Sequence, residues 1–203
     1  MYALVTNNEI TKLITNPKSM VIGDVRYPAK IFSVWSASEL NAIGIYEVVF
    51  DNSNFKDEKW YINTNQSYDF DGNEVTASYG TATPKAHADT LWTAQDETDG
   101  KGTEGEVATR GLKYNLIKDL KSQVSNELAK TDWYITRNTE KSTAIPSAIS
   151  THRDAVRTKQ ASMETAITNA SDTPALETLY TYTTDSDGVQ QPRPLGELPT
   201  LES

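Results

Sequence analysis

The 203-residue chain contains no cysteine, which excludes disulfide bonds, thiol nucleophiles and cysteine-ligated zinc sites. Histidine is scarce as well, since His87 and His152 are the only two. Neither has a second histidine nearby in the sequence, and a zinc site would need carboxylate ligands from elsewhere in the chain. Isolated histidines of this kind favour an exposed loop position for His87 and a helix-face position for His152. We therefore expect neither a metal nor a cofactor.

Long apolar runs are also missing, because no segment approaches the roughly 18 consecutive apolar residues that span a bilayer. The N-terminal stretch Met1–Asn8 has neither the basic start nor the apolar core of a secretory signal. We therefore expect that the protein is made in the cytoplasm and that it does not associate with a membrane. Acidic residues number 28 against 19 lysines and arginines, for a net charge of −9. Because the basic residues are scattered, we expect no nucleic acid partner.

No set of residues predicts catalysis. The sequence offers no convergent nucleophile, base and orienting group, and it lacks a glycine-rich phosphate loop. Two segments, Asp69–Asn73 and Asp185–Gly188, resemble parts of a calcium loop. In both, glycine directly follows the second aspartate, a spacing that fits a hairpin turn better than an EF-hand. We predict that the protein is not an enzyme.

What is present in the first half of the chain is a series of short strand patterns. The polar triplet Asn7–Glu9 between Tyr2–Thr6 and Ile10–Ile14 predicts a hairpin. The spacing of Ser36 and Glu39 matches a capping box at the start of a short helix, and Gly44 suits a left-handed stop. Residues 1–94 are therefore predicted to be a small antiparallel β module. Further strands are predicted at Val21–Ile22, Val25–Tyr27, Ile31–Trp35, Ile45–Phe50, Trp60–Ile62, Ser67–Phe70 and Glu74–Tyr79.

In the second half of the chain, the spacing of apolar residues changes to a helical period. Residues 95–106 are acidic and glycine-rich, which predicts a solvated linker. Residues 107–170 are predicted to form an α-helical hairpin, with an irregular connection and a second helix that starts at Pro146. Residues 171–203 are predicted to be an extended tail with one strand at Leu179–Tyr182. The fold class is thus α+β. The apolar face of the first helix is formed by Leu112, Leu116, Leu120, Val124 and Leu128, and that of the second helix by Ile149, Val156 and Met163.

One cluster combines aromatic and arginine side chains around the predicted bend. Trp133, Tyr134, Arg137, Arg153 and Arg157 are candidate interface residues, because Trp, Tyr and Arg dominate interface hot spots. The alternative is structural: the tryptophan plugs the bend while the arginines of the second helix reach carboxylates such as Asp132 or Glu140. A second set, in the β module, favours either sheet packing or a sugar-binding face. That set is Trp35, Trp60, Tyr61, Tyr68 and Tyr79.

The bend region resembles the C-terminal signature of bacteriophage tail-fibre-associated proteins, a group that includes tail-fibre assembly proteins. The residues that carry the likeness are Leu128–Arg137, Glu140, Ile145–Pro146 and Arg153–Arg157. The segments Trp35–Tyr46 and Val75–Tyr79 resemble a module that accompanies this signature in phage tail genes. Two positions depart from the pattern, with Ser142 near where glycine is common and His152 where tyrosine is common.

The resemblance implies a non-enzymatic phage tail protein that binds other tail or fibre subunits and is present in several copies. The leading hypothesis, motivated by the helical hairpin and the long C-terminal extension, is a structural protein of the virion tail, attached at the baseplate or tail fibre. Its partners would be phage tail-fibre or baseplate proteins. The alternative is a tail-fibre assembly chaperone that binds the fibre tip and is released. A third hypothesis makes the β module a glycan-binding receptor module.

Overall fold

The computed structural model describes residues 1–201. The chain forms two compact units, Met1–Thr83 and a second that begins at Pro84. The sequence placed the end of the β module at residue 94, so the observed boundary comes earlier. The predicted fold class is wrong in three respects, which concern the sheet, the helical region and the tail.

The first unit is built on a five-stranded mixed sheet. Its strands are β1 (Tyr2–Thr6), β2 (Glu9–Ile14), β5 (Ile45–Asp51), β7 (Ser67–Phe70) and β8 (Val75–Ser78). Their order across the sheet is β2-β1-β5-β8-β7. Strands β5 and β8 run parallel, with Val48 opposite Val75, while the other pairs are antiparallel. The outer strands β2 and β7 approach each other, so the sheet curves into part of a barrel.

The antiparallel prediction failed because only pairs close in sequence leave a local signal. The hairpin β1–β2 is confirmed: Asn7 and Asn8 both have positive φ values, 54° and 67°, as a tight hairpin turn requires. The pairing of β5 with β1 and β8 joins residues far apart in the chain. Such pairing depends on the tertiary fold, and alternating hydrophobicity does not encode its direction.

Both faces of the sheet carry apolar clusters. The inner face of the curved sheet holds Ala3, Val48, Val75 and Ala77, all buried. On the opposite face, Ile45 packs with residues of two short helices. Most of the apolar side chains that alternate along β1 and β5 therefore have a covering partner. Because both faces are covered, β1 and β5 do not show the alternation of apolar and polar residues that is expected of an antiparallel sheet with one face in water.

Short elements complete the first unit. Ile31–Trp35, predicted as a strand, instead forms a helical turn over Ile31–Val34, because a run of so few residues does not distinguish the two periods. The capping box is confirmed, since the Ser36 N–H donates to Glu39 Oε2 at 2.7 Å and the Glu39 N–H donates to Ser36 Oγ at 3.3 Å. These elements are β3 (Met20–Ile22), β4 (Val25–Tyr27), α1 (Ile31–Val34), α2 (Ala37–Asn41), β6 (Tyr61–Ile62) and β9 (Thr83–Pro84), which spans the boundary.

The second unit is mainly helical. Its two long helices pack against each other, and the predicted stripes are confirmed: Leu116, Leu120 and Val124 are buried, as are Val156 and Met163. Its elements are β10 (Thr90–Leu91), α3 (Ala94–Thr98), β11 (Val107–Thr109), α4 (Leu112–Ala129), α5 (Asp132–Lys141), α6 (Ser147–Asn169), α7 (Thr173–Tyr180), β12 (Thr183–Thr184) and β13 (Gln190–Gln191).

The helical region is not a simple hairpin, because the connection between α4 and α6, predicted to be irregular, contains the ten-residue helix α5. Helix α5 carries no buried apolar stripe, so its sequence lacks the period from which helices are recognised. The start of α6 lies close to its predicted position, with Pro146 as the N-cap residue directly before the helix.

The predicted acidic linker 95–106 is ordered. It begins with α3, which is capped by Thr93, and it closes a hairpin in which the Trp92 N–H donates to the Glu106 carbonyl at 2.9 Å. Hydrogen bonds from Thr93 and Lys101 lower the pKa of Asp96 to about 2. The charge of Asp96 therefore stabilises a local turn, and this acidic segment is folded although it was predicted to be a linker.

The tail is not simply extended. The predicted strand Leu179–Tyr182 is wrong, since α7 continues to Tyr180. The signal for this helix was present in the sequence: Asp172 caps it by accepting the Ala175 N–H at 2.8 Å, and Pro174 lies in the first turn. Beyond it, Leu195 is buried and its N–H donates to the Leu179 carbonyl at 3.0 Å.

Candidate functional site

The candidate interface lies at the corner where α4 ends and α5 begins. Arg153, on α6, is only 8% exposed and points into this corner. Its Nη1 lies 2.8 Å from the Leu128 carbonyl, 2.7 Å from Thr131 Oγ1 and 2.8 Å from Asp132 Oδ1. The guanidinium thus places positive charge at the C-terminus of α4 and pairs with the first residue of α5. It fixes the direction in which α5 leaves α4.

Helix α5 projects its side chains into solvent. Within the described structure, none of its residues is buried. Trp133 is 51% exposed and Ile135 is 38% exposed. The Trp133 and Tyr134 rings lie 3.8 Å apart between centroids, and the Arg137 guanidinium lies 5.9 Å from the Trp133 ring. The helix therefore presents an aromatic and cationic surface, which we call the α5 surface (Trp133, Tyr134 and Arg137).

The structure divides the five candidate interface residues into three roles. Trp133, Tyr134 and Arg137 come together on the α5 surface. Arg153 is buried and supports the corner from behind, as the structural alternative predicted when it paired this arginine with Asp132. Arg157 lies apart on α6 and pairs at 3.3 Å with Asp154, where the sequence had offered Asp132 or Glu140 as its partner. The candidates are therefore three residues on α5, one buried arginine that supports the corner, and one arginine that lies apart.

Next to the corner lies an ion cluster that the sequence did not indicate. Glu127 on α4 is buried, and its Oε1 lies 3.3 Å from Nε2 of His152 on α6. Its second carboxylate oxygen accepts a hydrogen bond from Lys130, and this bond lowers the Glu127 pKa below its usual range. His152 therefore lies at the contact between the two long helices. Among residues 1–201, no group of three histidine or acidic side chains is arranged to hold a metal ion.

The α5 helix ends in a strained position. Ser142 is its C-cap and has φ = +53°, in the left-handed region where glycine is favoured. The Ser142 N–H donates to the Asn138 carbonyl at 2.8 Å, which closes the last turn. The helix therefore ends on a residue that is less suited to this conformation than glycine.

Replacing this residue with glycine tests the helix end. We expect Ser142→Gly to stabilise the α5 end by about 0.5–1 kcal/mol, because a left-handed conformation costs a non-glycine residue roughly 1–2 kcal/mol, partly offset by glycine's greater unfolded entropy. Hydrogen exchange of the α5 amides measures the change. Ser142→Ala, which keeps the side-chain strain, is the control. Faster exchange in Ser142→Gly than in the native chain would contradict this explanation.

The aromatic residues proposed for a sugar-binding face do not form one surface. Trp60 and Tyr61 are buried, and Trp35 packs edge-on against Tyr27 with ring centroids 5.8 Å apart. Tyr68 packs against the inner core of the sheet. The role of these four residues is structural, as the packing alternative predicted.

The two calcium-like segments are turns. The Asp71 carboxylate accepts the backbone N–H groups of Asn73 and Glu74 at 2.8 and 2.7 Å. Asp185 accepts the N–H groups of Asp187 and Val189 in the same way. In each aspartate the two backbone donors share Oδ1, so the carboxylate closes its own turn.

Two further observations complete the description of the site. Within residues 1–201, no helix has both the length and the apolar content needed to cross a bilayer. Comparison with protein-family models, curated proteins and solved structures gives no match for this chain. A functional proposal therefore depends on the motif in the sequence and on the geometry of the α5 surface.

Proposed function

We propose that the chain is a non-enzymatic structural protein of a bacteriophage tail, attached at the baseplate or tail fibre through the α5 surface. The proposal takes its biological setting from the resemblance of the segment Leu128–Arg157 to phage tail-fibre-associated proteins. It takes its contact surface from α5. The partner is another tail protein.

The observation that carries the proposal is that α5 is exposed to solvent and yet is held in place at its first turn. A ten-residue helix without a buried face has little reason to be stable alone in water. Here Arg153 anchors its first turn from behind, while Trp133 remains half exposed in front. Such an arrangement displays a tryptophan in a defined position, and tryptophan and arginine are the residues that most often dominate protein interfaces. Fixation before binding also reduces the entropy lost on association.

The alternative is a tail-fibre assembly chaperone that binds the fibre tip and then leaves. The α5 surface of the free chain would serve a transient partner as well as a permanent one. The resemblance covers both roles, so the protein content of purified particles decides between them. Several copies are expected if the chain follows the symmetry of a tail.

The protein content of purified phage particles distinguishes the structural role from the chaperone role. We expect quantitative mass spectrometry of washed virions, from a phage that carries this gene, to find the chain at a fixed ratio to the tail proteins after a high-salt wash. Mass photometry of the isolated chain then tests whether the copies associate without the tail. A chain that is absent from washed virions, yet needed for fibres to form, would replace the structural role with the chaperone role.

A further inference from the structure

A second exposed site lies in the first unit, at the end of the curved sheet. We propose that Phe50, Phe55 and Tyr79, here called the aromatic platform, form a contact site for a neutral sugar ring. This inference goes beyond the proposed tail function and does not depend on it. It also differs from the sugar-binding face considered in the sequence, of which only Tyr79 is retained.

The strand register brings the three rings together. Phe50 lies opposite Ala77 on the neighbouring strand β8, and Tyr79 follows Ala77 by two residues. Side chains two residues apart lie on the same face of a strand, so Phe50 and Tyr79 are diagonal neighbours. The Phe55 ring lies 5.0 Å from the Tyr79 ring between centroids. Phe50 is 48% exposed and Phe55 is 42% exposed, so two of the three rings face solvent.

The loop that carries Phe55 is held in place by side chains. The Asn54 Nδ2 donates to the Tyr79 carbonyl at 3.0 Å. The Asn63 side chain accepts the Lys56 N–H at 2.9 Å and donates to the Lys56 carbonyl at 2.8 Å. These bonds join the loop to the residue that follows β8 and to the residue that follows β6. The platform is therefore fixed before a ligand arrives, which lowers the entropy cost of binding.

The size of the platform favours a sugar over a protein partner. The three partly exposed rings present on the order of 200–300 Å² of apolar surface, since a fully buried aromatic side chain contributes about 150–250 Å². A stable protein interface needs about 800 Å² from each partner. Residues 51–59 around Phe55 are all exposed, and apart from Phe55 itself they are all polar or charged. A patch of this area matches the apolar face of one or two pyranose rings.

The polar rim supplies the groups that sugar hydroxyls need. Asn54 donates to the Tyr79 carbonyl through its side-chain nitrogen, so its side-chain oxygen lies next to the platform as an acceptor for a hydroxyl. The polar loop residues around Phe55 are exposed as well. Apolar rings with a few fixed polar groups at the edge are the usual composition of a small-ligand site.

The test uses the full chain and four defined probes. Saturation-transfer NMR is recorded with the methyl glycosides of glucose, galactose, mannose and N-acetylglucosamine. We expect saturation transfer to at least one of them, with affinity reduced about tenfold in Phe50→Ala and in Phe55→Ala, since an aromatic contact contributes about 0.5–1.5 kcal/mol beyond the area it buries. Val49→Ala is the matched control, because Val49 is the neighbouring exposed residue on the opposite face of β5 and its loss should leave binding unchanged.

Three results would overturn the proposal. The first is the absence of transfer to all four glycosides from the native chain, and the second is native affinity in both phenylalanine variants. The third is a loss of sugar binding in Val49→Ala equal to that in Phe50→Ala. Circular dichroism of each variant shows that the fold is retained. None of these results bears on whether the chain is found in washed virions, so the two proposals fail separately.

Discussion

Replacing Gly44 with alanine is expected to destabilise the first unit by about 3–4 kcal/mol. Gly44 has φ = +82°, and a Cβ built on it would lie 2.6 Å from the Val5 carbonyl oxygen. The same stretch of backbone is held to β1, because the Val5 N–H donates to the Gly44 carbonyl at 2.8 Å. The new methyl group therefore meets fixed backbone atoms and has no flexible side chain to displace.

Two penalties add in this variant. The left-handed conformation costs an alanine roughly 1–2 kcal/mol. Relieving the clash requires β1 and the start of β5 to separate, which weakens a backbone hydrogen bond worth about 1 kcal/mol and loosens the packing of buried Ile45. Hydrogen exchange of peptides from residues 1–83 in the full chain measures the loss, and peptides beyond residue 84 provide an internal reference.

Gly72→Ala is the matched control for Gly44→Ala. Gly72 also has a positive φ, +98°, but a Cβ there would meet no described atom within 4 Å. Its substitution should cost only the conformational strain, about 1–2 kcal/mol. Equal losses at the two positions would show that the approach of Gly44 to β1 does not contribute to the stability of the sheet.

Arg153→Ala is expected to destabilise the second unit by about 3 kcal/mol and to release the start of α5. The substitution removes the charge-assisted hydrogen bonds from Arg153 Nη1 to Thr131 Oγ1 and Asp132 Oδ1, while the Leu128 carbonyl keeps the Thr131 N–H at 3.1 Å and the Thr131 hydroxyl at 3.0 Å. Hydrogen bonds to charged groups contribute about 1.5–3 kcal/mol each, and the lost side chain leaves a cavity as well. Arg153→Lys should recover part of the stability, because it keeps the charge but its shorter side chain carries a more strongly hydrated ammonium, which costs more to bury.

The second arginine on α6 provides the comparison. Arg157 lies four residues later and pairs with Asp154, which is itself exposed. Exposed pairs contribute little, so Arg157→Ala should change the free energy of unfolding by less than about 0.5 kcal/mol. Thermal unfolding of both variants and hydrogen exchange across α5 measure the difference. Equal effects of the two substitutions would contradict the supporting role of Arg153.

Local signals in the sequence predicted the parts of the fold that local chemistry determines. The hairpin at Asn7 and Asn8 follows from residues that tolerate positive φ, and the Ser36–Glu39 capping box follows from spacing alone. The stripes of α4 and α6 follow from their apolar periods. Each of these features depends on residues within one or two turns of one another, so a single sequence contains the required information.

The parts that failed depend on contacts between distant residues. Helix α5 has no apolar stripe, because it packs on the corner through its first residue and not along a face. The parallel pairing of β5 with β8 joins Phe50 to Ala77, and no local period encodes that choice. For the same reason, the aromatic platform could not be predicted, since its members come from β5, from the residue that follows β8 and from a loop.

The candidate interface was partly predicted. The cluster around Trp133 was recognised from residue types, and Asp132 was among the expected partners of Arg153. The separation of exposed from buried members was not predictable, because it depends on how α6 lies against the end of α4. Sequence therefore indicated the region of the surface, and the structure indicates which side chains are free to bind.

The most direct test of the α5 surface is the copy number of the chain in washed phage particles that carry Trp133→Ala. Tyr114→Ala is the matched control, because Tyr114 is also an exposed aromatic residue on a helix, and the Arg110 guanidinium lies 4.2 Å from its ring. Loss of a hot-spot tryptophan costs about 2 kcal/mol or more, which corresponds to roughly a thirtyfold weaker contact. We predict that the folded Trp133→Ala chain is depleted at least tenfold from particles while Tyr114→Ala is retained. Native copy numbers of Trp133→Ala would contradict the role of α5 as the attachment surface.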